Sequence, residues 1–226
     1  MELAGRRGLV IGVETAAGGA IALALGLAGA DLGLATMRAD EGVLAARRIQ
    51  RQLREAGRQA TTYAFDVTLG QNVKVSTRQV TKELGGLDFV VSASDLEFSG
   101  PLGQLTDSDL ASITTVNYYS HLFAVRAAVA EFRRNDSGQI LLVAHEGGAG
   151  PDSSAAYIAS QAATLSLVAT LSEELRAAHV GVNALVVGTT VDRESVANLA
   201  LSLVSADPAA VTGQVHHVAA QPAELR

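Results

Sequence analysis

Cysteine is absent from all 226 residues, which removes disulfides, thiolate metal sites and a cysteine nucleophile from consideration and suits a cytoplasmic protein. Positive charge is in deficit: 17 lysines and arginines face 23 aspartates and glutamates, a formal net charge of −6. The clustered basic surface that nucleic acid or an anionic membrane requires is therefore missing. The opening MELAGRRGLV lacks the apolar core and cleavage site of a secretion signal. The first apolar run is too short to cross a bilayer, because only 16 uncharged residues, four of them glycine, separate Glu14 from Asp31, against the roughly 18–20 a span needs. Repeats, low-complexity tracts and linkers are absent too, so the expectation is one domain over residues 1–226.

No His, Asp and Glu cluster has metal-ligand spacing, so no metal is expected. His121 and His179 stand alone and read as structural or surface residues. His216 and His217 are neighbours on a predicted strand, where they point to opposite faces and cannot chelate together. Asn135-Asp136-Ser137 has the glycosylation pattern but reads here as a polar turn. Arg47, Arg48, Arg51 and Arg54 fall on one predicted helix, where a solvated face explains them better than a phosphate site.

What is present is apolar and periodic. Hydrophobic residues make up 48% and charged ones 18% of the chain, enough to bury a full core. The stretch Leu9–Ala35 reads as strand, glycine-bearing turn, helix and second strand, the opening unit of a dinucleotide-binding sheet with backbone amides at a helix N-terminus. Strands are predicted at Leu9–Val13, Leu32–Thr36, Thr61–Phe65, Phe89–Ser92, Ile140–Val143, Val182–Val187 and Val215–Val218. Helices are predicted at Ala17–Gly29, Asp40–Ala56, Gln71–Leu84, Asp107–Arg133, Ala155–Ala178 and Arg193–Val204. This alternation predicts an α/β fold: a Rossmann-type doubly wound sheet of about seven parallel strands, with helices on both faces.

Several segments, in order, carry a resemblance. IGVETAAGGAIA looks like a TGxxxGxG turn, with Gly12 and Gly18 in register and Ala16 at the middle glycine. Phe65-Asp66-Val67-Thr68 looks like an Asp-Val pair that contacts adenine. LDFVV and GQILLVAH look like the fourth and fifth strands of such a sheet. Asn117 lies in TVNYYSHLFAVRAA, and Tyr157 in AYIASQAA falls where YxxxK has its tyrosine. Together these resemble the classical short-chain dehydrogenase/reductase family, in particular its 3-oxoacyl-[acyl-carrier-protein] reductase-like members, over nearly the whole chain.

The resemblance implies chemistry in which a tyrosine passes a proton to or from a carbonyl or hydroxyl. A serine holds the substrate oxygen, a lysine lowers the tyrosine pKa and binds ribose, and an asparagine holds a water relay. The matching positions read Asn117, His145, Tyr157 and Gln161, so two of four are changed. Residues 157 and 161 share a helical face. A phenol titrates near 10, and an ammonium beside it would bring that to about 7–9, which a neutral amide cannot do. Tyr157 without that register would read as a core residue. His145 has two readings: an N–H donor to a developing oxyanion, or a ring filling a disused pocket, the latter favoured.

The implied cofactor site is eroded as well. A β-carbon at Ala16 weakens the approach of a pyrophosphate without excluding it. The family's NAG turn has become Ser92-Ala93-Ser94-Asp95, and Asp95 brings negative charge toward the cofactor's place. No acid at the end of the second strand serves a ribose hydroxyl. Thr36, Met37 and Arg38 stand there, and Arg38 is either an ordinary surface arginine or a residue tilting any dinucleotide choice toward NADP(H). Val187-Gly188 replaces the family's PG turn, and only Thr189–Asp192 remain of the segment that covers substrate.

These departures favour a catalytically degraded subunit, assembled through helices 107–133 and 155–178 as a homo-oligomer or with an active paralogue. Those helices are rich in apolar positions on more than one side, which fits a four-helix dimer interface; tight packing within a monomer is the less favoured account. The alternative is an atypical NADP-dependent oxidoreductase using Tyr157 as acid, His145 as donor and Asn117 as relay. A thinner third reading is a dinucleotide sensor without turnover.

Overall fold

The computed structural model describes residues 2–38, 42–132, 136–147, 154–188 and 192–218. Among the described residues, seven strands form one sheet: β1 (Arg7–Ile11), β2 (Asp31–Thr36), β3 (Ala60–Ala64), β4 (Phe89–Ser92), β5 (Gly138–His145), β6 (Val180–Val187) and β7 (Val215–Val218). Every pairing is parallel, in the order β3-β2-β1-β4-β5-β6-β7. The helices are α1 (Ala16–Leu27), α2 (Gly42–Glu55), α3 (Gly70–Leu84), α4 (Asp107–Thr114), α5 (Ser120–Phe132), α6 (Ala155–Glu174) and α7 (Arg193–Ser205). The expected doubly wound α/β sheet is the one formed, and β4 and β7 coincide with their predicted ranges.

Two faces of packing follow from strand alternation. Val10 turns toward Ile21 and Leu25 of α1, Leu53 of α2 and Leu203 of α7. Its neighbours Leu9 and Ile11 turn the other way, toward Val80 of α3, Phe132 of α5 and Val168 of α6. The start of the sheet is pinned by one acid: the Asp88 carboxylate accepts from Arg7 N at 2.7 Å and from Arg7 Nε and Nη2, each at 3.0 Å. Burial alone would raise Asp88, but the Arg7 bonds outweigh it and hold the carboxyl below its usual range.

One predicted element is corrected. The single helix expected over Asp107–Arg133 is interrupted by a π-turn at Thr115–Tyr119, between α4 and α5. The cause is a competing donor, because the Thr164 hydroxyl of α6 donates to the Asn117 carbonyl at 2.7 Å. A carbonyl bonded outside its helix widens the turn, as such bulges do. Residue 133 lies outside the described residues, as do Asn135 of the glycosylation pattern and 189–191 of the shortened cover.

Candidate functional site

The crevice lies at the carboxyl ends of β1 and β4, where the strand order reverses. This is the switch point at which ligands enter open α/β sheets. Gly12 turns the chain out of β1 with φ +84, and an added Cβ there would meet the Ala93 carbonyl oxygen at 2.4 Å. A Cβ on Gly18 would meet the Gly12 carbonyl oxygen at 2.2 Å. Thr15 closes the turn: its hydroxyl donates to Gly12 O at 2.8 Å and accepts from Gly18 N at 3.0 Å, capping α1. The glycines at 12 and 18 are thus required by the chain's contact with itself. Ala16 opens the helix beside them and lines the cavity described below.

Tyr157 and Gln161 reach the crevice from α6. The Ser154 side chain caps that helix at Tyr157 N, 3.3 Å, so the tyrosine sits in the first turn. The four-residue spacing brings both side chains to one acid, Asp95, in the segment after β4. The Tyr157 hydroxyl donates to Asp95 Oδ1 at 3.0 Å, and Gln161 Nε2 donates to the same oxygen at 2.9 Å. The other end of the Gln161 amide accepts His145 N at 2.9 Å. A lysine, which only donates, could not make this second bond. His145 Nδ1 lies 3.7 Å from Asp95 Oδ2. Burial pushes the Tyr157 phenol up, and Asp95 and then Glu97, both negative, push it further. The phenol therefore keeps its proton and points it at a carboxylate.

Asn117 is wholly buried and holds the loop after β4. Its side chain accepts Leu96 N at 2.7 Å and donates to Leu96 O at 3.1 Å and Ser160 Oγ at 3.2 Å. Asn117→Ala is expected to cost about 3 kcal/mol of stability, since it empties a fully buried site and strands the half-buried Leu96 amide and carbonyl and the buried Ser160 hydroxyl; urea unfolding measures this, and a cost below about 1 kcal/mol would show that the loop holds without it.

The adenosine side looks different from its sequence reading. Arg38 is exposed, while Asp66 accepts Thr68 N at 3.0 Å and so turns the chain after β3. Val67 is buried, with its N–H on the Met37 carbonyl. A cavity of about 750 Å³ is lined by Thr15, Ala16, Asp95, His145, Tyr157 and Arg193 among others, but by none of Arg38, Asp66 or Val67. Two residues outside the expected set complete the crevice. Glu14 Oε1 accepts Met37 N at 2.6 Å at the end of β2, and Met37 Sδ accepts Asp95 N at 3.3 Å. An acid standing where the NAG turn has glycine, combined with glutamine for lysine at 161, was the available signal for Asp95 as an internal partner. Nothing local marked Met37 or Glu14.

The remaining histidines are structural or superficial. His121 is fully buried on α5, its Nδ1 2.8 Å from Ser92 Oγ. His216 and His217 take separate partners, Gln214 and Glu146. Among the described residues, no three His, Asp or Glu side chains converge as a metal site would require.

The sequence matches the short chain dehydrogenase family over residues 7–199. A hydroxynaphthalene reductase of Aspergillus fumigatus is 28% identical over 164 residues, covering 72% of this chain, and the match spans only 58% of that relative's length. Nodulation protein G of Rhizobium meliloti is 26% identical over 83% of this chain and 74% of its own. The crystal structure of a short chain dehydrogenase from Mycobacterium smegmatis superposes with a TM-score of 0.87 at 26% identity, covering 98% of this chain and 94% of that one. With the sheet order, the glycine turn and the tyrosine on α6 all in their expected places, the chain belongs to the short chain dehydrogenase family of NAD(P)-binding oxidoreductases.

Proposed function

We propose that this chain is a catalytically silent member of its family that acts as a cytoplasmic subunit of a homo- or hetero-oligomer, without nucleic-acid or membrane partners. One observation carries the reading. The proton-transfer tyrosine is bonded to Asp95, and the position that should hold an ammonium donates to the same carboxylate oxygen. A phenol raised by burial and negative neighbours is both a poor base and a poor acid near neutral pH.

The assembly surface is the outer side of α5 and α6. A groove there is lined by Tyr119, Leu122, Phe123, Val129, Leu171 and Leu175. Tyr119 is 45% exposed, and its ring stacks on Phe123 at 6.3 Å. Arg126 and Glu174 share the groove, so a two-fold pairing can set each against its opposite in the other subunit. Where an active paralogue exists, it can take the place of the second copy.

NADH and NADPH titrated into the pure chain test the silent reading by nicotinamide fluorescence. No saturation up to about 1 mM, the top of the usual KM range, is the expected result, and saturation at micromolar cofactor would overturn it. The second reading, an NADP-dependent oxidoreductase, draws on the open cavity beside Tyr157 and on exposed Arg38. Turnover of a carbonyl or alcohol that disappears in Tyr157→Phe would establish it.

A further inference from the structure

We propose that Met37 and Asp95 form an internal strap filling the dinucleotide crevice, and that this strap, more than the missing lysine, keeps the chain free of cofactor. The proposal rests on the silent reading and supplies its physical cause. At the switch point the two halves of a sheet leave a gap outside their carboxyl ends, and a dinucleotide lies across it. Here the protein's own side chains lie across it. Glu14 in the turn after β1 holds the backbone of Met37 after β2. The Met37 thioether reaches over to the backbone N–H of Asp95 after β4. The Asp95 carboxylate continues to Tyr157 and Gln161 on α6. A line of hydrogen bonds thus runs from the adenosine side to the catalytic side.

Three further features agree. The cavity runs from the N-terminus of α1 at Thr15 and Ala16 to the catalytic side and takes in none of Met37, Arg38, Asp66 or Val67, so it leaves out the adenosine end of the crevice. Its lining sets Asp95, Glu97 and Glu146 against Arg193, a balance that repels a diphosphate. The Glu14 carboxylate holds Met37 N at the end of β2, where its negative charge opposes a ribose 2′-phosphate and so bears on NADPH alone. The glycines do not argue otherwise, since the volumes a Cβ would need at 12 and 18 are filled by backbone oxygens of the chain itself.

The test is NADH and NADPH binding by fluorescence and calorimetry in three proteins: the natural chain, Met37→Ala/Asp95→Gly, and Asp95→Asn. The double variant opens both sides of the crevice and is expected to bind at least about 100-fold more tightly than the natural chain. Asp95→Asn keeps the side-chain shape and guards against loss of fold; with the charge removed it is expected to gain about tenfold. Circular dichroism melts establish that each variant is folded. A natural chain that binds at micromolar cofactor overturns both the strap and the silent reading. A natural chain that does not bind, with folded variants that do not bind either, overturns the strap alone and leaves the silent reading standing.

Discussion

Gly12→Ala is expected to destabilise the protein by about 3–5 kcal/mol, even though the chain is proposed to hold no cofactor. The turn sits at φ +84, where a side chain is strained, and the new Cβ would lie 2.4 Å from the Ala93 carbonyl oxygen and 2.9 Å from Ser94 N. Those are backbone atoms of the segment after β4, and they cannot swing aside as a side chain does. Gly57→Ala is the matching control. It shares a positive φ, +73, but nothing lies within 4 Å of its Cβ, so it should cost about 1–2 kcal/mol from conformation alone. The difference between the two, read by urea unfolding, measures the steric contact. Equal costs would mean that the turn and the β4 segment can part without penalty. In this family a glycine at the first strand's end is easily credited to pyrophosphate, and the experiment separates that role from its role in the fold.

The second large effect is on acid stability. His121 is pushed down to about 4 in the folded protein, chiefly because burial opposes its charge and secondarily through its neighbour His145, against a smaller upward pull from the Ser94 backbone. The unfolded value is near 6.5. A folded pKa below the unfolded one means that the unfolded chain binds the proton first. Stability from this group is complete above pH 6.5, falls as pH drops through the window, and is lost by about pH 4. At 1.36 kcal/mol per pH unit the loss is about 3 kcal/mol. The ring cannot rehydrate in place, since it is 0% exposed and bonded to Ser92 on β4. His121→Gln keeps a polar partner for Ser92 without titrating, and unfolding free energies at pH 7 and pH 4.5 should then differ by about 2 kcal/mol less than in the natural chain. An unchanged pH dependence would place the acid-sensitive group elsewhere. Asp88 would not mimic the effect, because Arg7 holds its carboxyl below the usual range and its loss comes at lower pH.

The relation between sequence and site explains why the fold was easier to read than the chemistry. Leu9, Val10 and Ile11 sort to opposite faces by alternation over neighbouring residues, so strand positions are a local property. Gln161 beside Tyr157 is equally local, four residues along one helix. The π-turn at Asn117 is different, since a threonine 47 residues later withdraws the carbonyl. Asp95 carried a legible charge, but its bonds to Tyr157 and Gln161 span 62 and 66 positions. The Met37 contact with Asp95 spans 58, and its weak thioether acceptor leaves no signature in composition or spacing.

By itself, the sequence determined the alternating strands and helices, the parallel sheet, the glycine turn and the loss of the ammonium beside Tyr157. All of these follow from residue type and short-range periodicity. Only the tertiary structure decided what fills the crevice: an acid turned onto the tyrosine, and a methionine laid between the two halves of the sheet. The reason is that a doubly wound fold brings the ends of β1, β2 and β4 together from distant parts of the chain, and only there do their side chains compete for the space a ligand would take.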